Sequence, residues 1–228
     1  PITSSAEEVE DGWKVNKQSS WTTSGGFADW YVVQTTSPGF DGAYSDLSCF
    51  LLMGDEVQAD PSAWDGLGLR GNQSGPIKVD ARVIPSGRLV GAVGDGAMSN
   101  DEVVAPFFLL LSSACWNGIA MALIDIARQH TTSRTHADMG MRVADYPTIQ
   151  DYVGEALIDS NTARSFSFQL ANAMDAATND CDWSLHEDKD RLPRSNYLHW
   201  MWQVKFAAAK NVANVSDKML HACGGTGY

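Results

Sequence analysis

The hydrophobic period of this chain changes once, at a glycine-rich stretch, and that single change limits the folds open to it. Up to about residue 95 the apolar residues alternate or gather in short β-branched and aromatic runs, at 13–16, 30–33, 48–53 and 77–84. Turn chemistry separates these runs, at Ser24-Gly25-Gly26, Ser37-Pro38-Gly39, Asp41-Gly42, Gly71-Asn72 and Ser74-Gly75-Pro76. Beyond Gly91, Gly94 and Gly96 the spacing turns helical. Asn100 is expected to N-cap a long helix whose first turn holds Asp101 and Glu102, on the side that the helix dipole favours. Pro147 suits a first helical position, and Ile149, Val153, Ala156, Ser160, Ala163, Ser167, Leu170 and Met174 follow it by fours and threes. A third helix is expected over 196–223, with Gly224 as a left-handed cap, and 179–193 reads as an exposed acidic connection. The pattern predicts an α+β multidomain chain. A small antiparallel β-sandwich or barrel over residues 1–95 is followed by an antiparallel helical bundle over 96–228.

With 228 residues, 44% of them hydrophobic, the chain can bury two modest cores, which excludes a disordered chain. A formal net charge of -12 argues against nucleic acid or an anionic membrane as partner. It also makes any polyphosphate ligand depend on a few local cations. The uncharged run 103–124 is long enough to span a bilayer, but Pro106, Ser112, Ser113, Asn117 and Gly118 interrupt it and acidic residues flank it. It reads as a bundle helix buried on several faces, without membrane insertion. Cys49, Cys115, Cys181 and Cys223 form no CxxC pair and are expected to be reduced, buried thiols. The chain begins at Pro1 with no signal peptide, so its start reads as a cleavage point or an edge of order. The expected compartment is the cytoplasm, with an organelle matrix left open. His130, His136, His186 and His199 show no metal spacing, and no metal is expected.

Two stretches carry more than architecture: Gly12-Trp13-Lys14-Val15-Asn16-Lys17-Gln18-Ser19-Ser20-Trp21-Thr22-Thr23-Ser24-Gly25-Gly26-Phe27-Ala28-Asp29-Trp30-Tyr31-Val32-Val33 and Trp64-Asp65-Gly66-Leu67-Gly68-Leu69-Arg70-Gly71-Asn72-Gln73-Ser74-Gly75. In that order they resemble the middle β domain of the acyl-CoA dehydrogenase family of flavoenzymes. The closing Leu220-His221-Ala222-Cys223-Gly224-Gly225-Thr226-Gly227-Tyr228 resembles the glycine-rich turn after a late helix of that family's C-terminal bundle. The resemblance implies FAD as cofactor. It makes Trp21 the ring that flanks the flavin and Thr22 and Thr23 hydrogen-bond donors near N5 and O4. It brings Arg134 to the FAD pyrophosphate across a subunit interface, where a planar fork suits phosphate oxygens. It places His221, Gly224 and Gly225 against the cofactor of a neighbouring subunit, with the missing side chains allowing close backbone approach. Taken as residues alone, the same positions also suit a core tryptophan with strand threonines, a surface arginine with Arg128 in its stead, and an ordinary helix C-cap. Residues 65–75 lack the spacing of a dinucleotide fingerprint and read as a structural hairpin in which Arg70 ties loops together.

The chain departs from the family pattern in three places. Arg134-Thr135-His136-Ala137-Asp138-Met139-Gly140 stands where Arg-x-x-Phe-Gly is usual, Pro147 where a glutamine is usual, and an all-apolar 105–111 where an arginine is common. By resemblance the intact enzyme is an FAD-dependent acyl-CoA dehydrogenase of fatty acid β-oxidation type. A carboxylate removes the α-proton of an acyl-CoA thioester while the β-hydrogen leaves as hydride to flavin N5. Glu155, Asp159 and Asp175 match no catalytic motif, so no catalytic residue is assigned in 1–228. The base is expected beyond Tyr228 and a helical domain before Pro1, which makes this chain the central part of an enzyme, inactive alone. A homo-oligomer is implied, a dimer or a dimer of dimers (a homotetramer), with FAD contacts in trans. Two other readings stay open: a flavin-dependent monooxygenase of the same fold, and a non-catalytic subunit that completes another chain's site.

Overall fold

Alternation in the first hundred residues builds one seven-stranded sheet. In the computed structural model, which describes residues 4–43, 45–180, 182, 184, 191 and 193–227, the chain forms two compact units, residues 1–100 and 101–228. In the first unit β1 (Ser5–Val9), β2 (Gly12–Thr22), β3 (Trp30–Thr36), β4 (Leu47–Met53), β5 (Gln58–Ala59), β6 (Gly75–Ile84) and β7 (Leu89–Val90) lie in the order β5-β6-β2-β1-β3-β4-β7. Every pairing is antiparallel except a single parallel register, Ser5 with Thr36, between β1 and β3. The runs expected at 13–16, 30–33, 48–53 and 77–84 each fall inside one of these strands. Period-2 alternation sends Trp13, Val15, Tyr31, Val33, Phe50, Leu52, Ile77, Val79 and Ile84 into one core. Trp13 packs its ring on Phe50 at 5.6 Å and donates its Nε1 hydrogen to the Ser86 carbonyl at 3.0 Å, so its polar end is satisfied.

The helical half begins earlier than Asn100. A four-residue helix, α1 (Gly96–Ser99), runs through a π-helical turn (Asn100–Val104) into α2 (Ala105–Ser133), so Asn100 lies inside helical backbone and not at a helix N-terminus. The cause is visible at Glu102, which is 5% exposed. Its carboxylate accepts from the backbone N–H groups of Arg194, at 3.1 and 3.0 Å, and Ser195, at 2.9 Å, and its Oε1 lies 3.7 Å from the Arg194 guanidinium. The wider π turn accompanies this inward carboxylate, where an exposed first-turn acid was expected.

α3 (Pro147–Ala177) and α4 (Leu198–Cys223) complete the second unit. The C-terminal ends of α2 and α4 adjoin the N-terminal end of α3, so α3 runs antiparallel to both. The expected α3 seam is present: Ala156, Ser160, Ala163, Ser167, Leu170 and Met174 are buried, while Ile149 and Val153 are half-buried. Small residues there allow close helix approach, and Asn117 on α2 and Asn211 on α4 donate to Ser167 and Ser160 at 3.1 and 3.2 Å. Burial of α2 is confined to one face, through Leu109, Ser113, Asn117, Ala120 and Ile124. Phe108, Leu111, Ile119 and Ile126 stay exposed within the unit, against the expectation of burial on several faces. Gly96–Ser133 is, by length and composition, apolar enough to cross a membrane. Of the thiols, Cys49 is buried and burial pushes it up in pKa, whereas Cys115 is exposed; Cys181 lies outside the described residues, as does most of the expected connection 179–193, His186 included.

Candidate functional site

Two groups of residues carry the functional expectation, one in each unit. In the β unit Trp21 and Thr22 end β2 and Thr23 opens the turn that follows. Trp21 is 73% exposed and meets Trp64 edge-on at 6.0 Å, so it is not a core tryptophan. Its turn is nevertheless rigidly tied. Ser24 and Gly25 donate their backbone N–H groups to the Asn72 and Gln73 carbonyls at 2.9 and 3.0 Å, and the Tyr31 hydroxyl, donating to the Ser24 carbonyl at 2.8 Å, accepts from Gly26 at 2.9 Å. The glycine-dense 65–75 segment that supplies those carbonyls lies in the long loop of a hairpin, between the antiparallel strands β5 and β6, and holds one 3₁₀ turn (Arg70–Asn72). Arg70 ties that loop to itself, donating from Nε to the Gly66 carbonyl at 3.1 Å. The product is an aromatic face and two hydroxyl residues on a fixed strand end.

In the helical unit the structure brings Arg134, His221, Gly224 and Gly225 together. They line one cleft of about 660 Å³ with His130, His136, Tyr146, Thr148 and Cys223. Local sequence builds each wall. α2 stops at Ser133 because Arg134 turns extended, with φ -92° and ψ 132°, and its backbone N–H caps the His130 carbonyl at 3.1 Å. α4 stops at Cys223 because Gly224 takes φ 60° and ψ -147°, with its N–H on the His221 carbonyl. That is not the left-handed cap expected; it is a backbone region open essentially to glycine alone. Pro147 starts α3 with no N–H to satisfy, which leaves Tyr146 and Thr148 on the cleft wall at a helix N-terminus.

The electrostatics of this cleft oppose those of the whole chain. Among the described residues no Asp or Glu lines it, although the chain carries a net charge of -12. The Arg134 side chain makes no hydrogen bond or ion pair among the described residues, whereas Arg128, the other arginine considered, lines a different hollow and is held by Asp125 at 2.7 Å. His221 lies 3.8 Å from Asp217 and edge-on to Tyr152. Burial pushes the Cys223 thiol up, so it contributes no negative charge near neutral pH. A Cβ added at Gly225 would meet no protein atom within 4 Å, and its φ is unexceptional. Nothing inside the chain demands glycine there. An unpaired guanidinium, three imidazoles and a bare backbone facing open space fit an anionic ligand that approaches closely, a diphosphate above all.

Three features of the cleft escape the sequence reading: the His136–Tyr146 pair, the α3 N-terminus and His130 as a wall. Tyr146-Pro147 at a helix start was the available signal for the first two. Among the described residues no cluster of His, Cys, Asp or Glu could hold a metal ion.

No protein-family model matches the chain. It is 24% identical over 230 residues to a probable acyl-CoA dehydrogenase, FadE10, of Mycobacterium bovis, covering 100% of this chain and 32% of that protein. It is also 24% identical over 237 residues to a glutaryl-CoA dehydrogenase of Desulfococcus multivorans, covering 100% and 54%. The chain thus spans between about a third and about half the length of these curated relatives. Among solved structures it matches a glutaryl-coenzyme A dehydrogenase–glutaryl-CoA complex with TM-score 0.83 at 22% identity, covering 100% of this chain and 53% of that one. An acyl-CoA dehydrogenase complexed with FAD from Bacillus anthracis matches with TM-score 0.85 at 17% identity, covering 99% and 39%. The same fold serves a dibenzothiophene monooxygenase from Paenibacillus, with TM-score 0.78 at 18% identity, covering 98% and 57%.

Proposed function

We propose that the chain, which is similar in sequence and fold to acyl-CoA dehydrogenases, forms two parts of an FAD site in an acyl-CoA dehydrogenase-like oxidoreductase. One part is the Trp21–Thr23 strand end, for the flavin ring. The other is the Arg134–Gly225 cleft, for the diphosphate and nucleoside end. Bound FAD would supply the hydride acceptor for α,β-desaturation of an acyl-CoA thioester. This chain's residues bind and orient: Trp21 offers a flat exposed wall, Thr22 and Thr23 offer hydroxyl and backbone donors, and Arg134 offers a forked cation. The cleft, with no carboxylate of the described residues on its walls, holds the nucleotide. A homo-oligomer whose clefts complete the FAD sites of neighbouring copies accommodates both patches.

The observation that carries the reading is Gly225, bare toward open space beside an unpaired Arg134. Its test is Gly225→Ala in the intact flavin-loaded protein. The melting temperature should stay within a degree or so while FAD affinity falls about tenfold, as expected when a methyl group displaces one charge-assisted contact. Unchanged FAD affinity would sink the cleft's role. Reaction class is read separately: anaerobic addition of acyl-CoA thioesters should bleach the flavin. Oxygen uptake with a supplied reduced flavin, and no bleaching, would instead place the protein with the monooxygenases of this fold.

A further inference from the structure

We propose that His136 is an additional ligand to the anion bound in this cleft, and that the Tyr146 hydroxyl fixes the orientation of its imidazole as a hydrogen-bond donor. The inference rests on the diphosphate reading of the cleft. It comes from a small hairpin, β8 (Thr135–His136) and β9 (Met141–Arg142), set between α2 and α3. The hairpin is closed at its tip by the Met139 and Gly140 N–H groups on the His136 carbonyl, at 3.1 and 2.9 Å, with Gly140 at φ 66°. It is closed at its base by the Val143 N–H on the Arg134 carbonyl at 2.9 Å. Beyond it Arg142 is engaged by Asp145 at 2.8 Å. His136 is therefore held two residues from Arg134 on a short, fully tied piece of backbone.

The ring itself is oriented as well. His136 Nδ1 lies 2.9 Å from the Tyr146 hydroxyl, with the two rings 5.5 Å apart, and Tyr146 is the residue immediately before α3. The same hydroxyl lies 3.3 Å from the Met139 sulfur. A thioether is a weak acceptor and an imidazole nitrogen a good one, so the phenol donates to Nδ1. With Nδ1 accepting from the hydroxyl, the ring N–H is the one at Nε2, on the far side of the ring, where it can be donated to a phosphate oxygen. Two donors so placed, one a charged fork and one an imidazole N–H, match the paired anionic oxygens of a diphosphate. A carboxylate ligand, with a single pair of oxygens, would be met by Arg134 alone.

The test is ADP binding to the full chain by calorimetry, with inorganic pyrophosphate and adenosine as the separate halves. Arg134→Ala should weaken ADP by tenfold or more, and His136→Ala by about tenfold, the loss expected for a hydrogen bond to a charged acceptor. His136→Gln, which keeps an N–H near the Nε2 position, should recover most of that loss, which a merely structural role would not allow. Tyr146→Phe should shift the His136 nitrogen resonances from the Nε2–H form toward a tautomer mixture and weaken ADP by about threefold. If Arg134→Ala weakens ADP while His136→Ala does not, the diphosphate cleft stands and the role of His136 is refuted. If neither matters, or ADP and pyrophosphate do not bind, the cleft reading itself falls and this inference with it.

Discussion

The two candidate patches are made in opposite ways. At the strand end, backbone is pinned from behind, by Tyr31 and by the Asn72 and Gln73 carbonyls, while the functional side chain is thrown outward: Trp21 is among the more exposed aromatic residues of the chain. At the bundle end, three helix termini converge, and Arg134, His221 and the Gly224–Gly225 turn are positioned by where α2 and α4 stop. The first patch is a surface that a ligand covers. The second is a concavity that a ligand enters. A flat ring system would suit the former and a flexible, charged diphosphate the latter, as the proposed FAD site requires.

The helix ends of the second patch owe their place to the bundle, so the comparison breaks most severely if the bundle is loosened. Glu102→Ala removes a 5%-exposed carboxylate from two backbone N–H groups and from Arg194, itself 3% exposed. Losing that buried carboxylate, with its backbone hydrogen bonds and its ion pair, should cost about 3–5 kcal/mol. Hydrogen exchange should show the loss in α2 and α4, with amides around Phe50 and Leu52 in the β core unmoved. Protection lost equally in both units would mean that they do not fold as separate cores.

A smaller effect separates the two glycines of the α4 turn. Gly224 holds φ 60° and ψ -147°, so Gly224→Ala should destabilise the bundle by about 1–3 kcal/mol through backbone strain alone. Gly225→Ala, with ordinary φ and open space around its Cβ, should leave stability where it was. Denaturation curves of the pair would check this. Equal destabilisation by both would mean that the turn, and not the ligand, requires the second glycine.

Much of this was legible in the residues. Strand runs such as 30–33 and the α3 seam from Ala156 to Met174 follow from period alone, because each is an amphipathic face against one core. Arg134 and His221 were expected from the family resemblance, and the structure brings them to one cleft. What could not be read is what depends on distant partners. Glu102 looks like any first-turn acid until Arg194, far along the sequence, closes on it. His136 looks like one of several unremarkable histidines until Tyr146 is placed against its ring by the start of α3. The exposed apolar face of α2 was misjudged for a related reason: a hydrophobic run reports what a residue avoids, not whether this chain supplies the cover.

A small stability effect is also expected at Trp21, and it is the sharpest test of the contrast. A tryptophan that belonged to the core would lose about 3–5 kcal/mol on truncation to alanine. At 73% exposure, with Trp64 as its edge-on neighbour, Trp21→Ala should change stability by no more than about 0.5 kcal/mol, since the ring removes little of its own area from water. The turn behind it would hold, because its ties run through Ser24, Gly25 and Tyr31 and none uses the indole. Flavin binding by the intact protein should nevertheless weaken, as the ring's apolar wall is lost. A variant that is stable but poor in flavin would show that the strand end presents Trp21 for a ligand. A variant that unfolds would place the ring in the fold's own packing and leave the bundle cleft as the chain's one prepared site.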